Sequence, residues 1–380
     1  MNKEKKLHTG RAVLENQASP PKPRQHQPQA QPPQWSVESC QFSQGIRPSP
    51  ASRDTAQTRF KAAYHRTRQI GEGGDGVVTL CESNHPGQNL AYAVKTYQAQ
   101  GNTSKIRFKT EVSTLELLKW KAACGSAQEL LIVNILWAND PKNIPLSVAE
   151  MHFAVEYCHL GDLESFRDGY KMAKQDFPAH YIASMFRDIV EAVAFIHHGW
   201  GTTAYKKDEE ESKWARMMHR DIKPSNFLLR QASPDKFRVV LSDFGTATFW
   251  NKRSFADENC GTDLYLPPEY PICTPCMDTW GIGATIHYLV HAKEPLDWDV
   301  IPQLYDHSYN YRKAPRKALP IPSSGLWKTP ALAKIREELN CRMLVCLEIY
   351  PARRPKVDIL ANLQWPDRTD DRPLRVMRRG

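Results

Sequence analysis

No run in this 380-residue chain approaches the roughly 18 consecutive apolar residues that a bilayer-spanning helix requires. The first ten residues, Met1 to Gly10, have no apolar core of the kind a secretory leader carries. No clustered cysteine framework is present: the nine cysteines are odd in number and scattered through a long chain, which suits free thiols in a reducing compartment better than a disulfide framework. These absences lead us to expect a soluble intracellular protein, cytoplasmic with the nucleus left open, and no membrane span. Strong charge imbalance is also missing where it would matter. The net charge is +9, but residues 1 to 60 carry 9 basic and 4 acidic side chains and residues 367 to 380 carry 5 and 3, so the 306 residues between them are nearly neutral. A nucleic-acid partner is therefore not expected.

What is present changes along the chain. The first 50 residues hold eight Pro and eight Gln and few apolar residues beyond Trp35 and Phe42, so residues 1 to 60 read as a disordered, basic, Pro/Gln-rich tail. Residues 367 to 380 read as a short basic C-terminal tail. From about Tyr64 the texture is that of a folded domain. The stretches Arg68 to Leu80 and Leu90 to Tyr97 read as strands flanking the turn residues His85, Pro86 and Gly87. Ile106, Val112, Leu115 and Leu118 stand at helical spacing within 105–118. A longer stripe, Ile182, Met185, Phe186, Ile189, Val190, Val193 and Ile196, predicts a second and longer helix. A strand-rich segment with one helix, then a helix-rich segment, predicts an α+β fold with two lobes.

Three constellations carry chemistry. Gly71-Glu72-Gly73-Gly74-Asp75-Gly76-Val77-Val78 fits G-x-G-x-x-G-x-V, where glycines let backbone N–H groups approach phosphate oxygens. A dinucleotide fingerprint would need a helix to start at the turn, whereas Val77, Val78 and Leu80 continue as strand. Lys95 ends the apolar run Tyr92-Ala93-Val94, and a carboxylate on the next helix would hold its ammonium toward a phosphate. Glu111 and Glu116 are the candidates, and Glu111 is preferred because Leu115 then falls one turn later on the buried face. Finally, Met218-His219-Arg220-Asp221-Ile222-Lys223-Pro224-Ser225-Asn226 is followed by Ser242-Asp243-Phe244-Gly245, which supplies a base and two oxygen ligands suited to Mg²⁺.

In this order and spacing the motifs resemble the eukaryotic protein kinase family, serine/threonine branch, over about residues 65 to 365. Gly261-Thr262-Asp263-Leu264-Tyr265-Leu266-Pro267-Pro268-Glu269, Asp278-Thr279-Trp280-Gly281-Ile282-Gly283 and Pro351-Ala352-Arg353-Arg354-Pro355 strengthen it. The resemblance implies a bilobal fold, with a strand-rich N-lobe at about 65–155 and a helical C-lobe at about 160–365. It implies transfer of the ATP γ-phosphate to Ser/Thr hydroxyls of protein substrates, with Mg²⁺. Gly71, Gly73 and Gly76 would cover the phosphates, and Lys95, held by Glu111, would grip them. Ile70, Val78 and Ala93 would pack above the adenine and Leu228 below it. The backbone of Glu156 and Cys158 would read the adenine edge, with Asp162 near the ribose. Asp221 would be the base, Lys223 would steady the transferred group, and Asn226 and Asp243 would hold the metal. His219 and Phe244 would join an apolar spine through Leu115, and Arg354 would pair with Glu269.

Lys223, two residues after Asp221, and Gly261-Thr262 point away from tyrosine specificity. Arg220 beside Asp221 implies control through the segment 243–269, with Ser254 preferred over Thr248 and Thr246 as the site of an activating kinase or of autophosphorylation. Thr262 reads instead as part of the fixed G-T element. The long run from Gly199 to Met217 reads as a solvated loop. Cys273-x-x-Cys276 and the Cys341, Cys346 pair read as ordinary thiols rather than a zinc site, and His197-His198 as favourable charge in a helix's last turn. The rival classes are a small-molecule phosphotransferase of similar fold and a scaffold that has lost catalysis.

Overall fold

The structure is a computed structural model describing residues 63–365, apart from 85–89, 99–100, 125–129, 140–150, 176, 207–213, 234–235, 253–254, 302–309, 324–326 and 328–329. Both expected tails, Ser254 and most of the charged run 206–211 lie outside the described residues.

Alternating half-buried residues build an antiparallel sheet from β1 (Tyr64–Gly73), β2 (Gly76–Ser83), β3 (Ala91–Tyr97), β4 (Ile135–Ala138) and β5 (His152–Glu156), in the order β1-β2-β3-β5-β4. The single strand expected over Arg68 to Leu80 is in fact a hairpin. Gly73 pairs with Gly76 across a two-residue turn, because the glycines that permit phosphate approach also permit the chain to reverse. Gly76 tolerates nothing larger, since a Cβ there would stand 2.1 Å from Thr96 O on the neighbouring strand.

Helix α1 (Gly101–Cys124) is longer than the sequence pattern suggested. Its core face is Phe108, Val112, Leu115 and Leu118, all at most 1% exposed, whereas Ile106 is 63% exposed. Ile106 lies six residues before Val112, about 240° around the helix, so it cannot share that face; Phe108, four before, does.

The second lobe is organised by α3 (Ala179–His198), preceded by α2 (Leu163–Met172). The seven stripe residues of α3 are buried as expected, and Gly199 closes the helix at φ 72°, with its N–H on Phe195 O at 2.8 Å. His197 and His198 are buried rather than exposed at the helix end. His197 Nε2 lies 2.9 Å from Asp278, and burial first, then the charge of His197, pushes His198 down to about 2. The last-turn charge reading therefore fails for His198, which is neutral. Two-stranded ladders follow: β6 (Met217–Met218) with β9 (Thr248–Phe249), β7 (Phe227–Ser233) with β8 (Lys236–Leu241), and β10 (Phe255–Ala256) with β11 (Ile272–Cys273). Helices α4 (Pro275–His291), α5 (Pro330–Cys346) and α6 (Val357–Ala361) complete the lobe.

On the described near flank of the 199–217 run Gly201, Thr203, Ala204 and Lys206 are exposed, as a solvated loop would have them, whereas its far end is packed. Trp214 donates to Ile196 O at 3.1 Å, stacks edge-on to Phe195, and carries the Lys121 ammonium 4.0 Å from its ring centre.

Candidate active site

A cavity of about 650 Å³ separates the sheet lobe from the helical lobe. The β1–β2 hairpin roofs it, β3 and α1 form its back wall, and the segments before β7 and after β8 form its floor. All sixteen residues singled out as site candidates line it. Gly71, Gly73 and Gly76 lie at the hairpin, Ile70, Val78 and Ala93 on the roof, and Leu228 on the floor.

The back wall is an ion cluster. Lys95 Nζ lies 2.9 Å from Glu111 on α1 and 2.9 Å from Asp243 across the cleft. The preference for Glu111 over Glu116 is thus the observed pairing. Burial alone would raise the Asp243 carboxyl, but the Lys95 charge and hydrogen bond outweigh it and hold it at about 2. Burial pushes Glu111 up to about 7, against the pull of a lysine it must share. Tyr97, two residues beyond Lys95 on β3, donates its hydroxyl to Glu111. Sequence reasoning missed Tyr97; its signal was the i, i+2 spacing that places it on the same strand face as Lys95.

On the floor, Asp221 Oδ1 accepts from Thr262 Oγ1 at 2.7 Å, Lys223 Nζ lies 3.0 Å from Asp221 Oδ2, and Lys223 also donates to Thr262 at 2.7 Å. Base, lysine and the threonine of the G-T element form one closed triangle. Asn226 turns its amide nitrogen toward Asp221, at 2.7 Å from the backbone O and 3.1 Å from Oδ2, which leaves its carbonyl oxygen as the outward atom. That oxygen and the Asp243 carboxylate are hard donors on one cavity, a set that fits Mg²⁺. Asp278, on α4, fixes the loop by accepting the backbone N–H groups of His219 and Arg220, each at 2.8 Å. His219 stacks edge-on to Phe244 at 4.8 Å, and Phe244 and Leu115 belong to one buried cluster.

The connection between lobes is held by a residue no motif flagged. Arg230 on β7 grips both oxygens of Glu156, the closer of the two ion-pair contacts at 2.5 Å, and donates to Leu130 O at 2.7 Å and Ile132 O at 2.9 Å. The side chain of Glu156 is therefore structural, and any adenine contact from it falls to its backbone. Asp162 caps α2, accepting from Ser165 N at 2.8 Å and Ser165 Oγ at 2.9 Å, a role its Asp-x-x-Ser setting could have revealed. Burial raises the Cys158 thiol strongly, so it is inert as a nucleophile.

Arg220, expected to await a phosphate, is engaged by a carboxylate of the chain itself. It pairs with Asp257 and donates to Thr246 O at 2.6 Å. Thr246 Oγ1 donates to His219 O at 3.0 Å. Arg107 on α1, also unforeseen, lies 2.7 Å from Asp75 at the hairpin tip. Cys273 sits 3.6 Å from Cys260 rather than beside Cys276. Arg354 forks onto Glu269 at 2.6 and 2.8 Å, as the resemblance implied.

A two-lobed α+β domain with a glycine hairpin over a lysine–carboxylate cluster, facing an Asp–Lys–Asn floor, defines the kinase class of nucleotide cleft. The sequence matches the family described as Protein kinase domain over residues 64–365. It is 25% identical over 317 residues to the G2-specific protein kinase nim-1 of Neurospora crassa, covering 79% of this chain and 33% of that protein. It is 23% identical over 323 residues to the NUAK family SNF1-like kinase 1 of Mus musculus, covering 84% and 41%. Serine/threonine-protein kinase GIN4 of Saccharomyces cerevisiae is 24% identical over 325 residues, covering 82% and 25%. The chain thus belongs to the protein kinase domain family, and it spans less than half the length of these three relatives.

Proposed function

We propose that the chain is an ATP-dependent serine/threonine-protein kinase. The observation that carries this reading is the Lys95 ammonium, 2.9 Å from Glu111 and 2.9 Å from Asp243, in the same cavity as Asp221. An ion pair at about 4 Å or less in a medium of effective dielectric near 20 is worth on the order of 4 kcal/mol before desolvation, enough to set the position of a phosphate-gripping ammonium. The hairpin glycines lay backbone over the phosphates. Asp221 accepts the proton of the substrate hydroxyl through a carboxylate oriented by Thr262 and Lys223. Lys223 places positive charge where the transferred group develops negative charge. Asn226 and Asp243 would hold Mg²⁺, which supplies charge neutralisation between phosphate oxygens. The three relatives are themselves named as kinases, which supports the reading. The fold and the absence of a membrane-crossing helix among the described residues suit an intracellular setting.

The test is phosphorylation of a randomised Ser/Thr peptide library by the full chain with Mg-ATP, beside a Tyr library and Asp221→Ala. Phosphate on Ser/Thr peptides that disappears in Asp221→Ala supports the assignment. Equal incorporation by both proteins refutes Asp221 as the base, and turnover on a metabolite with no peptide product refutes the protein-kinase reading.

A further inference from the structure

The glycine hairpin that roofs the cavity has little packing at its tip. A Cβ on Gly73 or Gly74 would meet no atom within 4 Å, so the tip stands clear of its surroundings, and glycine backbone is easily displaced. Only two polar side chains occur between Gly71 and Gly76. Glu72 turns back along β1 and accepts from Gln69 Nε2 at 3.0 Å. Asp75 reaches away from the sheet: its carboxylate accepts from Arg107 Nη1 on α1 at 2.7 Å, and its backbone O accepts from Gln98 N at 3.1 Å. Approach of backbone N–H groups to phosphates does not call for a carboxylate at this place. On charge alone an acidic tip repels a triphosphate.

Arg107 is itself fixed. Its stem lies against the turn that follows Asp243, since a Cβ on Gly245 would stand 3.7 Å from Arg107 Cβ, and its Nη2 donates to Asn259 O at 3.3 Å. It precedes Glu111 by four residues, one turn earlier on the same helix face. One rigid element therefore presents a guanidinium to the hairpin tip and a carboxylate to Lys95. Asp75 and Arg107 both line the cavity, with side chains 18% and 30% exposed, so water screens their attraction only in part.

We infer that Arg107 is a positioning residue for the nucleotide: its ion pair with Asp75 latches the hairpin tip to α1, holds the roof at the height of the phosphates and neutralises a carboxylate that would otherwise repel them. This deepens the kinase assignment and rests on it. The tip is ordered before ATP arrives, which lowers the cost of binding. The two partners are not equivalent. Loss of Asp75 frees the tip but also removes the repelling charge. Loss of Arg107 frees the tip and leaves Asp75 bare above the phosphates, so it is the graver change, and loss of Asp75 relieves it.

The experiment compares the full chain as wild type, Asp75→Asn, Arg107→Met and the double variant, with Mg-ATP and the best peptide of the Ser/Thr library. It reads kcat, the KM for ATP, the KM for peptide and Tm; KM does not depend on how much of the enzyme is folded. The KM for ATP is expected to rise about threefold in Asp75→Asn and about tenfold in Arg107→Met, and to return to about threefold in the double variant. The KM for peptide and Tm should stay near wild type. Two single variants with a KM for ATP within about twofold of wild type overturn the latch and leave the kinase assignment standing. So does a double variant in which the two increases multiply, or a fall in Tm with KM unchanged, which marks the pair as structural alone. A folded wild type that binds no Mg-ATP overturns the kinase assignment itself.

Discussion

Gly281 offers a way to disturb the chemistry from behind. It lies on α4 against Ile222, the residue between Asp221 and Lys223, and a Cβ there would stand 2.6 Å from Ile222 Cβ and 2.8 Å from Ile222 O. Carbon atoms rest at about 3.5 Å or more, so Gly281→Ala must displace the loop by about 1 Å. The opposing terms leave a net stability cost of about 0–2 kcal/mol. Alanine gains about 1 kcal/mol over glycine within a helix, and overpacking costs about 1–3 kcal/mol. Catalysis has no such compensation, because a misplacement of about 1 Å at a reacting group costs about 10²-fold. We expect kcat to fall about 10²-fold while the KM for ATP and the Tm change little. Gly283→Ala is the control. Its Cβ would meet Cys346 Cβ and Leu347 Cγ, both at 2.8 Å, on the opposite side of the helix. That variant should lose a similar, modest amount of stability, about 0–2 kcal/mol, yet keep kcat per folded molecule. Steady-state kinetics with thermal melts reads both quantities, and a Gly281→Ala enzyme with kcat within about threefold of wild type would refute the reasoning.

Three further outcomes follow from the structure. His287 is 1% exposed, shares a hydrogen on Nδ1 with Lys293 O at 2.8 Å and accepts from Leu319 N on Nε2 at 3.0 Å, so it is held neutral. Burial first, then His291, pushes it down to about 4 from 6.5, so its contribution is complete above pH 6.5 and is lost as pH falls toward 4. At about 1.4 kcal/mol per pH unit this amounts to about 3 kcal/mol. Urea unfolding across that range should show a shallower decline for His287→Gln, and parallel curves would contradict the assignment. Arg230→Ala should cost about 2–3 kcal/mol and weaken nucleotide binding, and Arg230→Lys should restore little, since one ammonium cannot replace a fork gripping a carboxylate and two carbonyls. Asp257→Asn should expose the segment around residue 257 to proteases and lower activity, whereas a variant as resistant and active as wild type would show that the Arg220–Asp257 pair does not order it.

The long stripe of α3 and the chemical residues of the floor were legible because each is local: one periodicity, one short motif. Lys95 with Glu111 was legible through helix phase. What escaped was carried by long-range contacts. Arg230 gives no pattern on β7 beyond a charged residue in a strand, and its meaning depends on a hinge 74 residues earlier in the chain. Tyr97 and Arg107 take their roles from the sheet and helix meeting at a particular distance. Ile106 was misplaced because apolar identity was weighed above phase. The strand reading over Arg68 to Leu80 ran through the turn at Gly74-Asp75, because the same glycines serve phosphate approach and chain reversal.

The grip of Arg230 on Glu156 and on the chain entering β4 has a thermodynamic corollary for turnover. One guanidinium fastens the crossing strand to the floor before any nucleotide arrives, so the order of the crossing strand is set during folding and need not be rebuilt in each cycle. On the proposed function, closure on ATP would then fall to the glycine hairpin and helix α1, lighter parts with less to immobilise. On the proposed function the molecule would act as a vise with one fixed jaw, its affinity for nucleotide set by the travel of the hairpin more than by the swing of the lobes.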